Sequence, residues 1–332
     1  MPGVLSGKRI IMIHGLASKP PQDVCDELWR KCVIENIRVD NPAMADQMEA
    51  DTDLFKSAYW ANATPHHLED DQQYVAGLRV QVDKVIADRK RLKNNFHVGT
   101  KDKLKDFFVD KALDVVNLCT NALKIQDDVM RKVLREVDLY EDDQYIADRM
   151  RRPLEVALRQ AWKDGREVAI LSHSMGTFIA YDVLWRFSHR STSPFDEYNP
   201  SNGNNRVALF VTMGSPLANK SVRSLLFAKY HTEKGQREFP TNIDHWHNYA
   251  CLGDIVSHDH DFSEPYFDPM IACNAIASDP EDRTRDYVKL FNPFEVVAHD
   301  GNEESEKRNP HKSYGYLVQP KLSQRLQEFL KG

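Results

Sequence analysis

The chain has 332 residues, of which 41% are hydrophobic and 28% charged, the mix of a globular protein with a core rather than a disordered or fibrous chain. Its 44 Lys and Arg stand against 50 Asp and Glu, a formal net charge of −6, which argues against a general nucleic-acid binder whose affinity would rest on neutralising phosphates. The five cysteines, Cys25, Cys32, Cys119, Cys251 and Cys273, are odd in number and widely spaced, with no C-x-x-C pair, so free thiols in a reducing compartment are expected rather than a disulfide framework.

MPGVLSGKRIIMIHG runs straight into a strand, without a separate apolar h-region or a small-residue cleavage site. No uninterrupted apolar stretch reaches the ~20 residues of a spanning helix. A cytoplasmic protein is expected, with peripheral membrane contact left open. KRIIMI at 8–13 is a β-branched run ending at His14-Gly15, the pattern of a buried strand. Pro20-Pro21 then open QDVCDELWRKCVIEN, where Val24, Leu28 and Cys32 recur at helical spacing. FKSAYWA at 55–61 predicts a second strand, ended by Thr64-Pro65.

From His66 to Arg152 the pattern changes. Gly is sparse, and apolar residues recur every three or four positions: Leu104, Phe108, Leu113, Val116, Cys119 and Leu123, then Val129, Val133, Val137 and Tyr140. Several amphipathic helices are predicted, forming an insertion over 66–152 that caps a single α/β domain spanning 1–332. The basic runs Arg89-Lys90-Arg91 and Arg149 with Arg151-Arg152 read as solvated helix faces.

The α/β alternation then resumes. A helix is predicted over 153–164, a strand over 167–172 and a largely buried helix over 175–187. A Ser/Pro/Asn/Gly-rich loop covers 191–205. RVALFVT at 206–212 is the next strand, followed by a helix near 219–229, a strand near 245–251, and a terminal amphipathic helix in KLSQRLQEFLKG. Strands alternating with helices imply a mostly parallel sheet covered on both faces.

EVAILSHSMGTF at 167–178 carries the first chemical signal. A strand, a small-rich turn and a helix make a nucleophile elbow, in which a sharp turn lifts the serine hydroxyl clear of the sheet. Sharpness brings strand and helix close, so the positions two before and two after Ser174 must be small. Gly176 satisfies this fully. Ser172 stands where G-x-S-x-G has its first glycine, a departure tolerated by its size. Ser174 is the candidate nucleophile.

The chain resembles the serine-esterase and lipase-like branch of the α/β-hydrolase superfamily. The resemblance rests on IIMIHG at 10–15, LSHSMG at 171–176, VTMGSPL at 211–217, HWHNYACLGDIVSHD at 245–259 and HKSYGYL at 311–317. It leaves the block at 66–152 outside. It implies an α/β-hydrolase fold and a triad in the order Ser, Asp or Glu, His. The base is then expected late in the chain, at His311, in an H-x-x-Tyr setting with Tyr314; His299 is the alternative. Asp254, after a strand, is the expected acid, able to hold the imidazole's second N–H, with Asp259 and Asp261 as rivals.

Two backbone donors are expected to form an oxyanion hole: the N–H of Met175 and, from the loop after His14-Gly15, that of Leu16. Met213-Gly214-Ser215-Pro216 is read as a structural turn flooring the pocket below the acid. The expected activity is hydrolysis of a small-molecule or lipid ester through an acyl-enzyme, without metal or organic cofactor. The helical insertion would shelter an apolar acyl chain as a lid. Two other classes remain open. One is a catalytically silent hydrolase-fold domain that binds a protein or membrane partner through its insertion. The other is a metal-dependent hydrolase built on His258 and His260, in the run HDHD at 258–261, with His66-His67 on the insertion. The oligomeric state is not legible.

Overall fold

The computed structural model describes residues 5, 7–15, 19–63, 71–93, 135, 137–189, 205–230, 238–251, 253–257, 261–276, 287–290, 295–296, 307–308 and 310–332. Six strands form one sheet: β1 (Lys8–Ile13), β2 (Phe55–Ser57), β3 (Glu167–His173), β4 (Val207–Met213), β5 (Ile243–Cys251) and β6 (Tyr287–Leu290). Their order is β2-β1-β3-β4-β5-β6, and every neighbouring pair is parallel. The expected α/β architecture with a parallel sheet is therefore present.

The central strands are apolar at nearly every position because both faces are covered. Side chains alternate across a strand, and the two cores divide accordingly. Ile10, Met12, Ala169, Leu171, Val211 and Met213 join one core. Ile11, Ile13, Val168, Ile170, Val207 and Phe210 join the other. The first core packs against α1 (Gln22–Asp40), α2 (Pro42–Ala50) and α3 (Gln72–Leu92). The second packs against α4 (Gln144–Lys163), α5 (Met175–His189) and α6 (Lys220–Tyr230). Two C-terminal helices, α7 (Ser313–Leu317) and α8 (Pro320–Lys331), return to the first face.

This division follows from chain direction. From β1 the chain moves outward to the edge strand β2, then reverses past β1 to β3 and continues to β4 and β5. Right-handed crossovers send the connecting helices to opposite faces when the direction reverses. The reversal lies between β1 and β3, and the crevice beyond the carboxyl ends of such strands is where open α/β sheets bind ligands.

Several boundaries differ from those expected. Only Phe55–Ser57 of the 55–61 stretch is strand, with a short 3₁₀ turn at Ala61–Ala63. The helix expected over 153–164 begins at Gln144 and carries Pro153 inside it. The missing proline N–H is tolerated because Ala147, Met150, Leu154, Leu158 and Ala161 form an unbroken buried stripe along the helix. The helix α2 and the strand β6 were not expected.

Of the block at 66–152, α3 and the first half of α4 lie in the two layers flanking the sheet; the apolar repeat from Leu104 to Val133 lies outside the described residues. The two basic runs correct the sequence reading in part. Lys90, Arg91, Arg149 and Arg152 are exposed, but Arg89 and Arg151 are each only 1% exposed. Arg89 donates to Asn36 Oδ1 at 2.7 Å and Asp40 Oδ2 at 2.5 Å. Arg151 donates to the fully buried Asp182 at 3.1 Å. Asp182 also accepts from Tyr140 and, at 2.9 Å, from Arg186. A helical period sets only the average face of a basic run; a buried acceptor on the facing helix, Asn36 for Arg89 and Asp182 for Arg151, draws one member inward.

Candidate functional site

Ser174 sits on the turn between β3 and α5, at the reversal of strand order. Its φ is +52°, a left-handed conformation that costs a serine roughly 1–3 kcal/mol and that only the surrounding structure can impose. The constraints are visible. The Ser174 N–H donates to Met213 O at 3.0 Å. Its carbonyl accepts from the Thr177 N–H at 2.9 Å and the Thr177 hydroxyl at 2.7 Å.

The two small positions behave as the sharp turn requires. A Cβ on Gly176 would lie 2.4 Å from His14 O and 2.8 Å from Ile13 O, so only glycine lets α5 approach β1 this closely. Ser172 is fully buried and donates to Val211 O at 2.7 Å, so its extra hydroxyl is satisfied on β4. Gly15 adds a third close approach, since a Cβ there would lie 2.5 Å from Ser174 Cβ.

The three candidate side chains meet. His311 Nε2 lies 2.9 Å from Ser174 Oγ, and His311 Nδ1 lies 2.9 and 3.0 Å from the two Asp254 oxygens. An ionised carboxylate only accepts hydrogen bonds, so Nδ1 carries the proton and Nε2 is left to accept from the serine hydroxyl. Asp254 is 2% exposed. Burial alone would raise its carboxyl, but the hydrogen-bonded His311 and the Tyr316 hydroxyl outweigh that and hold it down at about 2. The Val256 N–H fixes Asp254 Oδ1 at 3.0 Å.

Three residues support the cluster, of which Tyr316 and His173 were not singled out by sequence. Tyr316, fully buried, donates to Asp254 Oδ2 at 2.6 Å and accepts the Cys251 N–H at 2.9 Å. The tyrosine that reaches the acid is thus Tyr316, whereas Tyr314, of the H-x-x-Tyr setting, is buried in the first core. His173 lies within hydrogen-bond distance of His311 O through Nε2, at 2.7 Å. Burial, then the neighbouring His311 and Lys19, hold its imidazole well below the usual histidine range, so it is neutral and Nε2–H donates. Gly214, at φ +57°, lies under the His311–Asp254 contact, where a Cβ would approach Asp254 Oδ2 to 3.0 Å and His311 Nδ1 to 3.1 Å. This matches the floor role expected for the Met213-Gly214-Ser215-Pro216 turn. The only sequence trace of Tyr316 and His173 was their nearness to candidate positions.

Met175 opens α5 and is fully buried. As a first-turn residue its N–H has no acceptor within the helix, and it adjoins Ser174. Leu16 lies outside the described residues, as do His299, Asp259, His258, His260, His66 and His67. Asp261 is described, and its side chain accepts from the Ser263 N–H at 2.9 Å. Among the described residues no group of three His, Cys, Asp or Glu side chains could hold a metal ion. Cys25, Cys32, Cys251 and Cys273 are free thiols; Cys119 lies outside the described residues. No helix among the described residues is long and apolar enough to cross a membrane.

Lys19, partly exposed beside this cluster, is brought down to about 7 by loss of surrounding water and by Lys312, against a small opposing effect of Cys25.

Fold and site together define a class: an α/β protein with an all-parallel sheet and a Ser–His–Asp hydrogen-bonded relay beyond the carboxyl ends of its strands. No protein-family model, no curated protein and no solved structure matches this chain.

Proposed function

We propose that the protein is a serine hydrolase that cleaves carboxylic esters by acyl transfer to water. The observation that carries this reading is a single imidazole bonded on one side to Ser174 Oγ at 2.9 Å and on the other to Asp254 at 2.9 Å. A serine hydroxyl is a weak nucleophile until a base takes its proton. Here Ser174 Oγ attacks the ester carbonyl while His311 Nε2 accepts the hydroxyl proton. Asp254 stabilises the resulting imidazolium. The Met175 N–H faces the developing oxyanion, a contribution of roughly 10²–10³ in rate for one donor, with Leu16 as the proposed second donor. The leaving alcohol takes the proton from His311. Water, deprotonated by the same imidazole, then releases the acid and restores Ser174.

The deciding experiment is reaction with a fluorophosphonate probe, followed by a panel of acyl esters. The protein should label stoichiometrically, lose labelling in Ser174→Ala, and hydrolyse at least one ester. A folded protein that resists the probe and leaves every ester intact refutes the reading. Ester hydrolysis that survives Ser174→Ala but is abolished by a chelator would replace it with metal-dependent chemistry.

A further inference from the structure

Away from the Ser174 relay, a cavity of about 620 Å³ runs along the edge strand β2. Its lining divides into two kinds of surface. Arg9, Lys56, Arg149 and Arg152 supply positive charge, and Tyr59, Trp60, Pro153 and Val156 supply an apolar wall. No carboxylate is among its described lining residues. This contrasts with a chain whose net charge is −6.

The charge is only partly compensated from outside the cavity. Lys56 pairs with Asp53 at 3.1 Å, and Arg9 Nη2 with Asp53 at 3.0 Å and Asp164 at 3.9 Å. Asp53 is also shared with Arg166 at 2.6 Å. Arg149 donates to the Asn62 carbonyl at 2.6 Å and lies over the Tyr145 ring. Among the described residues neither Arg149 nor Arg152 has an ion-pair partner.

Arg9 is the second and independent observation. It is 2% exposed, and its Nε–H is buried with no hydrogen-bond partner among the described residues. A buried guanidinium donor left unsatisfied is costly, and such a donor calls for a partner. An anionic oxygen that reached this group from the cavity Arg9 lines would supply one. Arg149 and Arg152 line the same cavity, and forked guanidinium donors suit the oxygens of a phosphate or carboxylate. The apolar wall continues outward to Val156, 53% exposed.

We infer that this cavity binds an anionic amphiphile, a phosphate-type headgroup carrying an apolar chain. The headgroup meets Lys56, Arg149 and Arg152 over the buried Arg9, and the first carbons of the chain lie on Pro153, Val156 and Ala157. The volume suits a ligand of that size. The site is independent of the proposed ester chemistry, because none of its cationic groups belongs to the Ser174 relay.

The test uses the whole chain and octyl phosphate, which has no carboxylic ester to cleave, in isothermal titration beside inorganic phosphate and octanol. Octyl phosphate should bind, and more tightly than either part alone by about tenfold or more. Added salt should weaken it. The exposed double variant Arg149→Glu/Arg152→Glu should lose about tenfold or more in affinity while keeping its melting temperature. Val156→Asn should weaken octyl phosphate but not inorganic phosphate. Protection of Arg152 from phenylglyoxal by octyl phosphate gives a readout that needs no variant. The inference is overturned if octyl phosphate gives no saturable heat, if the folded double variant binds it like the parent, if inorganic phosphate binds equally well, or if Arg152 is not protected.

Discussion

Replacing Tyr316 by Phe keeps the ring and removes one oxygen atom from the centre of the site. That oxygen donates to Asp254 Oδ2 at 2.6 Å and accepts the Cys251 N–H at 2.9 Å, in a fully buried position. A hydrogen bond to a charged group contributes about 1.5–3 kcal/mol, and a buried N–H left without an acceptor costs about 1–3 kcal/mol. The two overlap, so Tyr316→Phe should destabilise the protein by about 2–4 kcal/mol near neutral pH, a large share of a typical ~5–15 kcal/mol. Urea unfolding followed by tryptophan fluorescence measures this.

The pH dependence makes the prediction more specific. Asp254 has its carboxyl lowered from an ordinary 3.8 to about 2. A depressed carboxyl contributes stability that is complete above the unfolded value and is lost as pH falls through the folded value. Without Tyr316 the Asp254 carboxyl moves back toward its ordinary range. The gap between parent and variant should therefore be widest above about pH 4 and should narrow toward about pH 2. Ser174 labelling by a fluorophosphonate should slow as His311 loses its fixed orientation. A loss below about 0.5 kcal/mol, or a gap unchanged through the acid range, would refute the role assigned to Tyr316.

Three further outcomes follow from other contacts. Gly176→Ala forces a Cβ to within 2.4 Å of His14 O; it should lower stability by about 1–3 kcal/mol and slow probe labelling by about 10²-fold through displacement of the turn, and labelling at the parent rate would contradict it. Asp182→Ala leaves the buried Arg151 with Asp148 as its remaining described carboxylate partner and strips Tyr140 and Arg186 of a buried acceptor, and should cost about 3–5 kcal/mol in urea unfolding. In the parent protein, the Asp254 carboxyl alone should account for about 2 kcal/mol of stability lost between about pH 4 and about pH 2, read from urea midpoints across that range; Asp254→Asn should flatten that part of the curve.

Sequence by itself determined the elements whose signal is local. The apolar runs at 8–13 and 167–172, the 3.6-residue period after Pro21 and the largely apolar run after Met175 each depend on a few neighbours, and all four became the expected elements. The turn at Ser174 was legible for the same reason, because tightness demands small residues at fixed offsets. His311 and Asp254 were reachable only through a resemblance in motif order, since no local pattern separates them from His299 or Asp261.

What tertiary structure decided is how distant segments meet. Tyr316 and His173 acquire their roles because α7 returns beside the ends of β3 and β5, bringing residues 138 and 65 positions apart into hydrogen bonds. Arg89 and Arg151 are buried because Asp40 and Asp182 face them from other helices. The edge position of β2, and with it the cationic cavity, follows from the reversal of strand order. These are contacts between parts of the chain whose own sequences carry no record of each other, so only the folded arrangement sets them.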